Sequence, residues 1–384
     1  MQKVKLGEIC KVLNGYAFSS DKYVESGLRI IRITNVQKGY IEDDLPCYYP
    51  IEKERELQKF ILKENDLLIS LTGNVGRVGL LPKKYLPSVL NQRVGCIRVN
   101  DENKVNNKYL FHFLNNDKFE VESVYNAKGV AQKNMSTEWL KQQEIPLPPL
   151  EEQRAIAEKL DKVSQLVDKR KEQLQQLDQL VKSQFISFFG STDLSDEKKS
   201  NVRIGDVAEI VGGSTPKTDI EEYWNGEYFW ITPAELKDDS YMIKTTIRKL
   251  TKAGVESCSL EKMPVNTVLL SSRAPIGKVA ITGVEMYCNQ GFKNIICSNK
   301  LQPTFIYFLL KYNTKYLNSL GRGATFKEIS KSIVENIKIP LPPMEPQNQF
   351  AEFVEKVEKL KEKVNNSLTH LNLLKQSLMQ QYFG

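Results

Sequence analysis

The clearest pattern of apolar positions in this chain is a heptad repeat that occurs twice. Apolar side chains recur at alternating steps of four and three residues over 156–188 and again over 350–378, and neither run contains Gly or Pro. This spacing predicts two coiled-coil helices of about 40 residues, each about 60 Å long at 1.5 Å per residue. The predicted interface residues are Ile156, Leu160, Val163, Val167, Leu174, Leu177 and Val181 in the first run, and Phe350, Val354, Val357, Val364, Leu368, Leu371 and Leu378 in the second.

The same proline-rich phrase precedes both helical runs. Residues 145–153 read I-P-L-P-P-L-E-E-Q, and residues 339–347 read I-P-L-P-P-M-E-P-Q, 194 residues later. A proline pair stops further sheet pairing and suits the first turn of a helix, where the missing N–H would have no partner. The phrase therefore predicts a strand end followed by a helix start. Pro346 replaces Glu152 in the second copy, a change that can shift that helix start by a residue.

The repeat extends through the whole chain. Residues 4–9 match 202–207, residues 75–78 match 276–279, and the Asn-Gln pair at 91–92 recurs at 289–290. The matches keep their order while their separation drifts by a few residues, as in a duplication whose loops have diverged. A period near 194 residues is too long for a solenoid. The pattern therefore predicts two copies of one domain-plus-helix unit.

Each globular copy mixes short apolar strands, glycine turns and short helices, which predicts a compact α/β domain of about 150 residues. Predicted strands include 66–70 and 267–271, and predicted helices cover 107–114 and 303–310. The predicted boundaries are 1–147 for the first domain, 148–190 for the central helix, 191–341 for the second domain and 342–384 for the second helix.

The two long helices are predicted to pair with each other. The first helix leads into the second domain and the second helix leaves it, so adjacent domain termini, which are common, make the pair antiparallel. The predicted architecture is two tandem α/β domains separated by two long helices that form an intramolecular antiparallel coiled coil with pseudo-two-fold symmetry. The alternative is that each helix packs only on its own domain.

Composition narrows the possible chemistry. A formal charge of +7 favours a polyanionic partner only mildly, and two histidines make a histidine metal site or catalytic triad improbable. The six cysteines show no zinc spacing, which favours a reduced, cytoplasmic protein. The first residues do not resemble a signal peptide, and no apolar run approaches the roughly 20 residues that span a bilayer.

The glycine turns and the polar blocks around them contain the candidate contacts for a polyanionic partner such as a nucleic acid. Glycines allow close backbone approach, while cations, amides and hydroxyls can donate to phosphates or base edges. The candidates in the first domain are Tyr16, Arg32, Asn35, Thr72, Asn74, Arg77, Gln92, Arg93, Lys128, Gln132 and Lys133. Those in the second are Thr215, Lys217, Thr232, Arg273, Lys278, Gln290, Lys293, Arg322, Thr325 and Lys327. The alternative is that the turns are strand corners with solvated charges, and that Asn91 and Asn289 are structural amides.

The order of these elements resembles the specificity subunit of type I restriction–modification enzymes along the whole chain. The two proline phrases and the repeated glycine and Asn-Gln blocks carry the resemblance. It implies that each globular domain is a target recognition domain that reads one half of a bipartite double-stranded DNA target. It also implies that the helices space the domains and dock two methyltransferase (modification) subunits, which restriction subunits then join. The domains differ heavily, so the target should be asymmetric, with half-site centres about one helical turn apart.

The resemblance implies adenine methylation with S-adenosylmethionine, ATP and Mg held by the partner subunits and no cofactor in this chain. The sequence agrees, because it has neither an Asn-Pro-Pro-Tyr/Phe motif for a flipped adenine nor a phosphate-binding Gly-x-x-x-x-Gly-Lys-Ser/Thr loop. We therefore expect no catalytic and no metal-binding residues. Two other interpretations are a coiled-coil scaffold whose globular ends bind proteins, and a self-sufficient methyltransferase. Alanine at Arg77, Lys128 and Arg322 would leave DNA binding unchanged under the first, and cofactor binding by the isolated chain would support the second.

Overall fold

The computed structural model of the chain describes residues 3–127, 134–190, 193–195, 202–258, 260–273, 275–322 and 327–384. It divides into two compact units, of which the first comprises Met1–Lys171 with Asn366–Gly384 and the second comprises Glu172–Asn365. Within the described residues, no helix combines the length and the apolar character needed to cross a membrane.

The first unit contains a domain of short strands and helices. Its elements are β1 (Lys3–Lys5), α1 (Leu6–Ile9), β2 (Cys10–Asn14), β3 (Leu28–Ile31), β4 (Val36–Gln37), β5 (Tyr40–Ile41), β6 (Tyr48–Tyr49), β7 (Leu67–Ser70), β8 (Val78–Leu80), β9 (Ser88–Leu90), β10 (Val94–Val99), α2 (Asn107–Leu114), α3 (Asp117–Asn126), α4 (Thr137–Lys141) and β11 (Glu144–Pro146). The main sheet has the order β2-β10-β7-β8 and a second sheet has the order β6-β3-β9. The remaining strands form the pairs β1-β11 and β4-β5.

The two 40-residue helices are α5 (Leu150–Phe189) and, at the end of the chain, α11 (Met344–Phe383). Between them lie β12 (Val202–Arg203), α6 (Ile204–Val207), β13 (Ala208–Val211), β14 (Trp224–Ile231), β15 (Met242–Ile243), β16 (Arg248–Leu250), α7 (Lys252–Glu256), β17 (Val268–Leu270), β18 (Val279–Thr282), β19 (Tyr287–Cys288), β20 (Asn294–Cys297), α8 (Pro303–Tyr312), α9 (Thr314–Ser319), α10 (Lys331–Glu335) and β21 (Lys338–Ile339). The sheets here have the orders β13-β20-β17-β18-β15, β16-β14-β19 and β12-β21.

The two domains therefore share one strand plan, and the predicted pair of tandem α/β domains is confirmed. β10 pairs antiparallel with β2 and β7, as β20 does with β13 and β17. β3 pairs parallel with β9, as β14 does with β19. β15 extends the main sheet of the second domain by pairing parallel with β18.

Two apolar cores explain why β7 reads as an uninterrupted apolar run. Leu67 and Ile69 lie in the core that contains Leu110 of α2, whereas Leu68 lies in the core that contains Ile31 of β3. Successive side chains of a strand point to opposite faces, so both faces of β7 are buried. The equivalent strand β17 divides its side chains between two cores in the same way.

The first strand of each domain pairs with the strand that enters the proline phrase. Val4 stands opposite Ile145 in the first domain, and Val202 stands opposite Ile339 in the second. The beginning and the end of each domain are therefore adjacent, which is the condition the antiparallel prediction required. Both helices begin at the same position of the phrase, so Pro346 does not shift the start of the second.

Each unit pairs opposite ends of the two helices. In the first unit, Ile156 and Leu160 near the start of α5 share a core with Phe383 at the end of α11. In the second unit, the ring of Phe185 near the end of α5 lies 5.3 Å from that of Phe350 near the start of α11. The helices therefore run antiparallel, as predicted.

The side chains predicted for the helix interface are all buried or half-buried. Polar residues at seam positions pair with residues of the other long helix. Arg170 Nε donates to Ser367 Oγ at 3.2 Å, and Lys361 Nζ lies 2.6 Å from Asp178 Oδ1. The heptad pattern missed Phe185, which is fully buried in the core of the second unit.

A buried glutamine ends each proline phrase and ties the helix to its domain. Gln153 Oε1 accepts the Asn106 N–H at 2.8 Å, and its Nε2 donates to the carbonyls of Lys104 (3.0 Å) and Pro148 (2.8 Å). Gln347 makes the three equivalent bonds in the second unit, to Gln302, Lys300 and Pro342. The phrase therefore provides a buried amide as well as a helix start.

We expect Gln153→Leu to lower the free energy of unfolding of the first unit by about 2–3 kcal/mol, because buried backbone groups lose their partners. Gln165→Leu, at an exposed position of the same helix, is the control and should cost less than about 0.5 kcal/mol. Urea denaturation followed by tryptophan fluorescence measures both, since Trp139 belongs to the first unit. Equal midpoints for the two variants would contradict a structural role of the amide.

Candidate nucleic-acid interface

The turn between β7 and β8 in the first domain and the turn between β17 and β18 in the second both require glycine. Gly76 has φ +84° and Gly277 has φ +91°, the left-handed region that favours glycine. A Cβ on Gly76 would lie 2.8 Å from Cβ of Ser123, and one on Gly277 would lie 3.0 Å from Cγ2 of Thr314. Conformation and space thus both explain why the two turns kept this residue.

A serine before each turn holds the predicted cation after it. The hydroxyl of Ser70 accepts the N–H of Arg77 at 3.0 Å, and the hydroxyl of Ser271 accepts the N–H of Lys278 at 2.8 Å. The backbone of these two cations is therefore fixed in the same way in both domains.

The turn of the first domain opens into a concavity of about 330 Å³. It is lined by Ile33, Thr34, Val36, Gln37, Thr72, Gly73, Asn74, Arg77 and Arg93. Four predicted contacts, Thr72, Asn74, Arg77 and Arg93, thus come together. Arg77 Nη1 donates to Gln37 Oε1 at 2.8 Å, which orients the guanidinium, while Arg93 is exposed. The Thr72 hydroxyl is buried without a hydrogen-bond partner in the described part of the chain.

Two further candidates in the first domain are exposed beside each other. The N–H of Gln92 donates to the carbonyl of Tyr16 at 3.0 Å. Tyr16 is 42% exposed, and its ring packs near those of Phe18 and Phe60, at 5.0 and 5.3 Å between centroids. The ring is therefore held in place while part of it remains available to a ligand.

Asn35 and Arg32 make hydrogen bonds to other residues of the first domain. Asn35 is buried, its Oδ1 accepts the N–H of Arg32 at 2.7 Å, and its Nδ2 donates to Asp43 Oδ1 at 2.9 Å. Arg32 Nη2 donates to the Leu45 carbonyl at 2.7 Å. DNA contact by these two residues stays a prediction, which their placement disfavours. Lys128, Gln132 and Lys133 lie outside the described residues.

The second domain has two adjoining concavities at the equivalent place. One, of about 770 Å³, is lined by Thr232, Pro233, Ala234, Arg273, Ile276, Asn289, Gly291, Asn318, Lys327 and Glu328. The other, of about 680 Å³, is lined by Lys293, Arg322, Glu328, Ser330, Lys331, Ser332, Ile333 and Asn336. Five predicted contacts therefore line these two concavities, three in the first and two in the second. Glu328 borders both concavities.

The other candidates of the second domain lie outside these two concavities. Lys278 Nζ donates to the carbonyl of Leu236 at 2.7 Å, so the lysine side chain contacts a neighbouring loop and stabilises it. The Thr215 hydroxyl donates to Oε1 of Gln290, and both Gln290 and Lys217 are exposed. Thr325 lies outside the described residues.

Asn91 and Asn289 have the structural role that the alternative interpretation gave them. Asn91 Oδ1 accepts the N–H of Arg93 at 3.2 Å, and Asn289 Oδ1 accepts the N–H of Gly291 at 2.9 Å. Each side chain closes the turn that presents the following residues.

Sequence reasoning missed the residue near the end of each domain that bridges the segment between the main-sheet strand and the glycine turn. Asn134 bridges Thr72 in the first domain, and Glu328 bridges Arg273 in the second. Both positions follow the basic glycine loops, and they are separated by the same 194 residues as the proline phrases. That shared offset was the available signal.

The family profile of the type I restriction modification DNA specificity domain matches residues 1–179 and 196–370. Because the two matches cover most of the sequence, the chain belongs to this family.

Individual relatives agree with the assignment. The type I restriction enzyme MjaIX specificity subunit of Methanocaldococcus jannaschii is 40% identical over 177 residues, which span 45% of this chain and 41% of that protein. The putative type I restriction enzyme MjaX specificity subunit of the same organism is 25% identical over 98% of this chain and 91% of its own length. The crystal structure of a type I restriction–modification system S subunit from M. genitalium superposes with a TM-score of 0.64 at 15% identity, over 100% of this chain and 96% of that one. This last similarity concerns the fold alone.

Proposed function

We propose that this chain is the non-catalytic DNA-reading subunit of a type I restriction–modification system. Each domain reads one half of an asymmetric bipartite DNA target. The long helices set the spacing and dock two methyltransferase subunits, and the complex directs adenine methylation and restriction. S-adenosylmethionine, ATP and Mg are held by the partner subunits.

One observation carries the proposal, namely a cationic concavity at the same place of both domains. Arg77 and Arg93 line it in the first domain, and Arg273 and Lys327 line it in the second. Lys and Arg at such a surface neutralise phosphates, which provides affinity without sequence information. The residues that differ between the two concavities then supply different base contacts, and the two halves of the target differ.

Sequencing of chromosomal adenine methylation, in a host that expresses this chain with its partner subunits, tests the proposal directly. We expect one methylated motif that is split into two unlike halves, with half-site centres about one helical turn apart. Active partner subunits without any split motif would overturn the proposal.

Exposed leucines at repeated positions of the helices support the docking of two equivalent partners. Leu166 of α5 and Leu360 of α11 are 45% and 49% exposed and occupy the same position of the repeat. Leu180 and Leu374 form a second such pair, 42% and 47% exposed. Apolar side chains that stay exposed at the same place in both copies fit a partner that binds twice.

We expect the double variant Leu166→Glu with Leu360→Glu to weaken methyltransferase binding by at least about ten-fold, because a carboxylate would be buried in an apolar contact. Co-purification and titration calorimetry with the methyltransferase measure the loss. Leu373→Glu is the control, since Leu373 is 59% exposed but its repeat position in α5 is Gln179. Equal binding by the double variant and the control would place the docking surface elsewhere.

A further inference from the structure

Glu328 is an acidic side chain that is surrounded by arginine and lysine side chains. Among the described residues that line the two concavities of the second domain it is the one carboxylate, and it borders both. The cations around it are Arg273, Lys293, Arg322, Lys327 and Lys331. A carboxylate repels phosphate, so on a surface that binds DNA this residue weakens the sequence-independent part of the affinity. Its position therefore needs a reason other than phosphate binding.

The backbone holds Glu328 on two sides. Its N–H donates to the carbonyl of Arg322 and its carbonyl accepts the N–H of Arg322, both at 3.0 Å. It also bridges Arg273, which lies between the end of β17 (Val268–Leu270) and the glycine turn. The Cα of Glu328 is therefore fixed in position against the main sheet. A residue that recognises one particular base must be held rigidly in this way.

Lys293 orients the Glu328 carboxylate but pairs with only one of its two oxygens. Lys293 Nζ lies 3.3 Å from Glu328 Oε1, and the lysine side chain is only 15% exposed. The glutamate side chain is 42% exposed, and its Oε2 has no partner in the part of the chain that the structure describes. One oxygen is thus held by the protein, and the other is available as a hydrogen-bond acceptor.

The equivalent position of the first domain has different chemistry. Asn134 bridges Thr72 as Glu328 bridges Arg273, and it is exposed. An amide both donates and accepts hydrogen bonds, whereas an ionised carboxylate only accepts. In the major groove, carboxylates accept from the N4 amino group of cytosine, and amides pair with N6 and N7 of adenine. One backbone position therefore presents two different base-reading groups in the two domains.

We propose that Glu328 is a specificity-determining residue of the second domain and reads the N4 amino group of a cytosine in its half-site, while Asn134 holds the equivalent reading position in the first domain. This inference rests on the proposed DNA-reading function and names residues within it. Glu328 accepts the base through the oxygen that Lys293 leaves available.

The test compares the methylated motifs directed by the wild-type chain, Glu328→Gln and Asn134→Glu, each expressed with the partner subunits in the same host. For Glu328→Gln we expect one position of one half-site to lose its preference for cytosine by about ten-fold or more, with the other half-site unchanged. For Asn134→Glu we expect a change confined to the opposite half. The unchanged half-site shows in each case that the variant folds and assembles.

Glu285→Gln is the matched control, because Glu285 pairs with Lys262 at 2.6 Å and lines neither concavity. An unchanged motif for Glu328→Gln, or methylation lowered equally at all sites, would overturn the inference and leave Glu328 as a partner that only neutralises Lys293. A wild-type half-site without any C·G pair would also overturn it. Absence of a split motif for the wild-type chain would instead refute the DNA-reading function itself.

Discussion

Replacement of Phe185 by alanine should lower the free energy of unfolding of the second unit by about 3–5 kcal/mol, the cost of truncating a fully buried aromatic side chain. Phe185 is completely buried and lies at the centre of an aromatic cluster. Its ring centroid lies 4.9–6.4 Å from those of Phe189, Phe305, Phe308, Tyr312 and Phe350. These rings come from α5, α8 and α11, so one side chain joins both long helices to the domain.

Urea denaturation followed by tryptophan fluorescence measures this effect, since Trp224 and Trp230 belong to the second unit. Ile186→Ala is the matched control, because its side chain is the next along the helix and is 46% exposed. We expect the control to cost less than about 1 kcal/mol. Phe185→Leu keeps most of the apolar volume and should cost about 1–2 kcal/mol. Equal losses for Phe185→Ala and Ile186→Ala would show that the cluster does not hold the unit together.

The heptad pattern identified the helices but placed this residue outside the predicted interface, for a physical reason. A repeat of four and three steps describes one seam between two helices. Phe185 stands between the seam positions Val181 and Phe188 and faces α8 as well as α11. A helix that packs against both a partner helix and a domain buries a wider face, and the period alone does not say where that face widens.

The sequence located β7 and β17 to within a residue or two, but it indicated no strand order. Apolar runs and glycine turns are local signals, so the predicted strand 66–70 and the observed β7 (Leu67–Ser70) nearly coincide. The pairing of β10 with both β2 and β7 joins segments that are far apart along the chain, and no local pattern records it. The repeat supplied the one long-range constraint, because two copies of a sequence adopt one fold.

The sequence predicted the candidate site where polar side chains lie beside a glycine turn that recurs in both domains. Thr72, Arg77 and Arg93 were singled out as polar residues beside a glycine turn, and they line one concavity. Asn35 looked equally suitable in the sequence, but burial assigns its amide to the domain itself. Glu328 was not among the predicted contacts, because a carboxylate repels phosphate, and its bridge to Arg273 is visible only in the structure.

Simultaneous replacement of Arg77 and Arg93 by alanine should weaken DNA binding by the assembled complex about hundred-fold at physiological salt, since two phosphate or base contacts are lost. Arg77 is oriented by Gln37 and Arg93 is exposed in the same concavity, so both guanidinium groups are placed for a polyanion. We also expect the slope of log affinity against log salt to fall by about two. Lysine at both positions keeps the charge and should restore the slope, but not all of the affinity, because lysine lacks the bidentate geometry of arginine.

Fluorescence anisotropy of a duplex that carries the methylated motif, over a series of salt concentrations, measures both quantities. The matched control is Lys3→Ala with Lys141→Ala, which removes two positive charges from the same unit at residues that pair with Glu144 and Glu138 and line no part of this concavity. A complex whose affinity and salt slope respond equally to the two double variants would favour the alternative in which the globular ends bind proteins. A loss confined to the arginine variant instead places the phosphate backbone against the glycine turn, since Arg77 and Arg93 both line the concavity at that turn.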